Sequence, residues 1–107
     1  MSTFDKREDS FEKRFVHEQD LQFRAEARRN KRLGLWAAEK LGKSSADAQA
    51  YADELVAADA KAGADALLVA RVKADFDAAG VDQSEHQIRR TMDELLATAT
   101  AEIKAGT

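Results

Sequence analysis

The 107-residue chain contains no proline and 22 alanines. Alanine is the best helix former and proline the strongest helix breaker, so this pairing favours long helices throughout. β-branched residues are sparse, and no stretch alternates apolar with polar residues as a half-buried strand would. The sequence therefore predicts an all-α protein. A chain of this length suits one domain, and a domain this small buries only about 60–65% of its unfolded surface. Cysteine is absent, which removes disulfides, thiolate metal sites and cysteine nucleophiles together. It suits a reducing compartment. The opening residues, MSTFDKREDS, are charged and lack the apolar core of a secretory signal. No apolar run approaches the ~20 residues of a membrane span. The expectation is a soluble cytoplasmic protein.

Glycines punctuate the chain. Gly42, Gly63, Gly80 and Gly106 each follow a helical run, as glycines just past a helix C-terminus do. Ser44 and Asp47 are spaced as a capping pair, Ser84 and Gln87 repeat the pattern, and Asp65 stands where it can cap a third run. Four helices result: one ending near Leu41, then roughly 45–61, 65–79 and 85–104. Their apolar residues recur in steps of three and four. The first offers Leu33, Trp36, Ala37 and Leu41; the second Ala48, Tyr51, Ala52, Leu55 and Val56. The third offers Ala64, Leu67, Leu68, Val72 and Phe76; the fourth Ile88, Met92, Leu95, Leu96, Ala99 and Ile103. Short connections make neighbours antiparallel, which predicts a small four-helix bundle over residues 21–107.

Residues 1–20 do not join that bundle cleanly. Phe4, Phe11 and Phe15 share one helical face, and the rest of the segment is mostly charged. An isolated helix of this length is marginal in water. The segment is expected to be a flexible amphipathic arm, partly disordered when free and ordered against a partner. Its three aromatics have the spacing of helix-in-groove anchors. The alternative is that they pack on the bundle as an extension of the first helix.

Charge and motif patterns narrow the function. The net charge is -3, with a balance of +2 over residues 1–32 and -5 over 33–107. That asymmetry suits a partner for the N-terminal part but falls short of the basic face of a nucleic-acid binder. His17 and His86 stand far apart, with no ligand-spaced cluster around either. There is no nucleophile elbow, no glycine-rich phosphate loop and no carboxylate pair in an apolar setting, so the chain does not read as an enzyme. Arg24, Arg28, Arg29, Lys31 and Arg32 form the densest charge cluster, with Trp36 four residues beyond Arg32. This is either a solvated basic face with Trp36 in the core, or an anion or nucleotide site of guanidinium forks beside an aromatic ring.

Three segments together, FDKREDSFEKRF at 4–15, FRAEARRN at 23–30 and LGLWAA at 33–38, resemble the zeta subunit of alphaproteobacterial F-type ATP synthases. The likeness covers nearly the whole chain and is densest over 4–42. It departs mildly at Arg14, Val16 and Glu18, and at Arg32, where leucine is more familiar. The resemblance implies a natural inhibitor of the synthase: a four-helix bundle with an N-terminal segment that enters a catalytic alpha/beta interface of the soluble head and blocks ATP hydrolysis. By position, Phe4, Arg7, Glu8, Phe11, Glu12 and Phe15 are the inhibitory, partner-binding residues. ADP or ATP is implied as a regulatory ligand of the bundle, for which Arg28, Arg29, Arg32 and Trp36 are the candidates; no cofactor is required and no metal is expected. The implied partners are the alpha and beta subunits of the head, with a monomeric inhibitor held peripheral to the inner membrane through the synthase. A helical adaptor with another protein partner is the competing class. A small RNA-binding protein is a third, opposed by the acidic remainder of the chain.

Overall fold

A computed structural model describes the backbone of residues 3–58 and 64–106 and the side chains of 17–58 and 65–106. Helix α1 spans Thr3–Lys40, α2 Ser45–Ala58, α3 Ala64–Ala79 and α4 Glu85–Lys104. Among the described residues there is no strand. The chain is an all-α four-helix bundle.

Local chemistry explains most of the boundaries. Gly42, Gly80 and Gly106 have φ of 74°, 72° and 86°, the left-handed conformation that ends a helix and that a side chain resists. Around Gly80 the closing bonds run from the Gly80 N–H to the Asp77 carbonyl and from the Val81 N–H to the Phe76 carbonyl. Ser84 caps α4 with a full capping box: its hydroxyl accepts from the Gln87 N–H at 3.1 Å, and the Gln87 side chain accepts from the Ser84 N–H at 2.7 Å. Asp65 is not the cap of α3, because the helix already begins at Ala64 and the carboxylate is turned to Arg29. Gly63, and the end of α2 beyond Ala58, lie outside the described residues.

The core is assembled from all four helices. Leu33, Ala37 and Ala38 of α1 meet Tyr51 and Leu55 of α2, Leu68, Val69, Val72 and Phe76 of α3, and Ile88 and Met92 of α4. Each fully buried large apolar side chain contributes about 1.5–3 kcal/mol. Trp36 sits at the edge of this cluster and meets Phe76 edge to face, ring centroids 5.6 Å apart. Leu67 departs from the expected stripe: it is exposed, and Val69 takes the inward place.

Helix α1 is the spine, packing chiefly against α2 and α4. Its approach to α2 is unusually close at Gly34, where an added Cβ would stand 2.5 Å from the Cα of Ala52. With 38 residues α1 is about 57 Å long, whereas α4, with 20 residues, reaches only about 30 Å. The molecule is accordingly 65 × 25 × 20 Å. No break in the helix marks residue 20; the expected arm and the bundle share one continuous α1.

Candidate partner-binding arm and the arginine row at its base

The arm leaves the bundle just before Ala25. Between residues 17 and 24 only Leu21 is even half-buried, and Ala25 is the first buried residue of α1 among the described side chains. From Thr3 to Arg24 the α1 backbone runs about 33 Å. Phe4, Arg7, Glu8, Phe11, Glu12 and Phe15 all lie on this helical stretch, with side chains outside the described residues. On the described part, Asp20 and Arg24 pair at 3.7 Å and Gln22 donates to Glu26 at 3.2 Å, both along the helix. Phe23 stands between these two pairs and is 70% exposed.

The arginines below the arm go to carboxylates of neighbouring helices. Arg29 is 3% exposed and grips Asp65 with both terminal nitrogens, at 2.7 and 3.3 Å, while its Nε donates to the Asn30 side-chain oxygen at 3.0 Å. Arg28 and Arg32 converge on one oxygen of Glu102, at 3.2 and 2.7 Å. The two guanidiniums, Arg32 foremost, hold the Glu102 carboxyl below the usual carboxylate range. These contacts fasten α1 to the start of α3 and to the last turn of α4. The row is therefore neither a plain solvated face nor a set of open forks. Lys31 faces solvent, and Trp36 belongs to the core edge with Lys40 above its ring at 5.4 Å. Asn30 is wholly buried, and its amide nitrogen has no hydrogen-bond partner among the described residues.

A concave feature lies between α2 and α3, an open groove of about 520 Å³ lined by Lys43, Asp47, Tyr51, Glu54, Arg71 and Asp75 among others. The Tyr51 hydroxyl donates to Asp75 at 2.7 Å, and Lys43 and Arg71 lie 5.5 and 5.2 Å from the centre of its ring. Burial, then the bond to Asp75, pushes the Tyr51 hydroxyl well above the usual tyrosine range. Arg71 also pairs with Glu54, which strengthens its hold on its proton. Both cations are thus committed to fold contacts. Among the described residues no cluster of three or more His, Asp or Glu could hold a metal ion, and His17 and His86 are both exposed. No described helix is long and apolar enough to cross a membrane.

The partners of the arginine row, Asp65 and Glu102, escaped the sequence reading because they lie 36 and 74 positions away from Arg29 and Arg28. Phe23 escaped it because it stands off the stripe of positions 4, 11 and 15. The only signal for either was negative: Arg29 falls on the inward face of α1, where a charge needs a counter-charge.

A four-helix bundle with an exposed helical stretch at residues 17–24, and with Arg28, Arg29 and Arg32 paired within the fold, defines a small binding protein. The profile of the ATPase inhibitor subunit zeta family matches residues 1–102, and the chain belongs to that family. It is an inhibitor of the ATP synthase, a regulatory subunit and not an enzyme. A protein solved by solution NMR is 42% identical, with a TM-score of 0.67 over 81% of this chain and 99% of its own. No curated protein matched in the sequence comparison.

Proposed function

We propose that the chain stops ATP hydrolysis by inserting the N-terminal part of α1 at a catalytic interface between the alpha and beta subunits of the synthase head. The observation that carries this is that α1 runs unbroken before Ala25 and that its side chains over residues 17–24 are exposed but for half-buried Leu21. A helix without tertiary packing is marginal in water, so this stretch gains most from a groove supplied by a partner. Phe4, Phe11 and Phe15 would fill that groove, and Arg7, Glu8 and Glu12 would set register along it. Burying three phenylalanines at about 1.5–3 kcal/mol each, about 4.5–9 kcal/mol together, outweighs an ordering cost of about 2–5 kcal/mol over nearly all of that range. A wedged helix keeps the interface from closing and needs no chemistry of its own. The test is ATP hydrolysis by a matching synthase head with the full chain and with residues 2–19 deleted. Inhibition by the first alone is the expected result; inhibition by both would refute the proposal.

Adenine nucleotide as a modulator is the second reading, favoured by the half-exposed Arg28–Glu102–Arg32 contact. A phosphate can compete with Glu102 for both guanidiniums. Because that contact fastens the end of α4 at the base of the arm, displacing it would alter how the arm is held. Arg29, locked on Asp65, would support the site from below, and Trp36 one turn beyond Arg32 would report on it. Regulation requires that the two arm states bind nucleotide differently. An ADP titration that left Trp36 fluorescence and the helix α1 amide shifts unchanged would remove this reading.

A further inference from the structure

Phe23 lies outside the segment that the aromatic stripe marks out, yet it is the most exposed large apolar side chain among the described residues. A single exposed aromatic is ordinary on a protein surface. The position of this one is not. It precedes Ala25, so no bundle helix is placed to cover it. It is bordered on one side by the Asp20–Arg24 pair and on the other by Gln22–Glu26, whose polar groups are already satisfied within the helix. An aromatic ring inside a polar rim is the anatomy of an interface anchor.

Helical phase gives the ring a distinct task. At 3.6 residues per turn, positions 4, 11 and 15 fall within about 40° of one another, and position 23 lies about 100° away. A single stripe engages one wall of a cleft. A helix held between two subunits meets two walls, and the second needs an anchor on a different face.

We propose that Phe23 is that anchor: it enters an apolar pocket on the second subunit bounding the cleft, at the mouth, while the stripe at 4, 11 and 15 faces the first. The inference rests on the insertion reading above, and it extends the partner contact past residue 20 to the base of the arm. The bundle begins immediately afterwards, so Phe23 is the last aromatic that can enter before α3 and α4 abut the head.

The test measures half-inhibition of ATP hydrolysis by the head with the parent chain, Phe23→Ser, Leu67→Ser and the 2–19 deletion. Leu67 is the matched control: it is 62% exposed but lies on α3. Both substitutions are at the surface, and far-UV circular dichroism confirms that each chain folds. Phe23→Ser should require roughly tenfold more protein or above, the loss expected for an aromatic anchor. Leu67→Ser should stay within about twofold, as a residue outside the interface does. Unchanged potency of Phe23→Ser, with the deletion inactive, would overturn the inference and leave the insertion reading standing. Equal weakening by Phe23→Ser and Leu67→Ser would also overturn it. An active deletion would remove the insertion reading itself.

Discussion

Removing the Asp65 carboxylate should destabilise the bundle far more while Arg29 is present than after Arg29 has been replaced. The two ends of this ion pair sit in different surroundings: the Arg29 side chain is 3% exposed and that of Asp65 60%. In Asp65→Ala the guanidinium stays buried with its counter-charge gone. Stranding one partner of a fully buried pair costs about 3–5 kcal/mol, whereas exposed pairs contribute about 0–1. With one end buried and one end wet, the expected loss lies between these, at about 2–3 kcal/mol. Losing a favourable charge from the first turn of α3 costs a further ~0.3–1 kcal/mol, which alanine's helix propensity largely offsets. Arg29→Met differs because methionine keeps an apolar stem in the buried slot and the orphaned Asp65 carboxylate is hydrated. Its own cost, which includes the buried Asn30 oxygen left without its donor, is about 1–3 kcal/mol, but it leaves no buried charge for Asp65→Ala to strand. For a domain near this size 1 kcal/mol shifts Tm by roughly 4–8 °C. Asp65→Ala should therefore lower Tm by at least about 8 °C in the parent, and by no more than about 8 °C in the Arg29→Met chain, where it removes only an exposed charge. Urea and thermal unfolding followed by far-UV circular dichroism measure both. If Asp65→Ala cost as much in the Arg29→Met chain as in the parent, the assignment of the cost to a stranded buried charge would be wrong.

Gly34→Ala should destabilise by about 1–3 kcal/mol in urea titration despite alanine's better helix propensity, because the helices must separate. Ala52→Gly should not rescue it, since the new Cβ meets the Ala52 Cα itself. Tyr51 is the only tyrosine, so its ultraviolet absorbance reports one group. Its raised folded-state pKa means that its contribution is complete below the ordinary tyrosine range and is lost progressively as pH rises from that range through the raised folded-state value. Ionisation should then coincide with unfolding of the chain; a separate earlier step would contradict the bond to Asp75. Glu102 has the opposite sign. Its lowered pKa makes the α1–α4 clamp effective above the ordinary carboxylate range and lost as pH falls below it. Glu102→Gln should thus be less stable than the parent at neutral pH, with the gap closing in acid.

Local signals settled the secondary structure. The missing proline, the alanine content and the glycines at 42, 80 and 106 speak through backbone conformation, which depends on residues a few positions apart. The Ser84–Gln87 capping box is of the same kind, and so is most of the inward stripe, from Tyr51 and Leu55 to Ile88 and Met92. The amphipathic spacing of Phe4, Phe11 and Phe15 likewise needs only helical period. What the arginine row does could not be read this way. A run of Arg28, Arg29 and Arg32 looks the same whether it awaits an anion or holds a bundle together. The difference lies in Asp65 and Glu102, which reach those arginines only once α3 and α4 have folded against α1. The exposure of Leu67, the contact at Gly34 and the isolation of Phe23 share that origin. The sequence alone determined which segments become helices and which faces are apolar, because those are properties of neighbours along the chain. Only the tertiary structure decided which charges are spent inside the fold and which surface is left for a partner, because burial and ion pairing depend on distances through space.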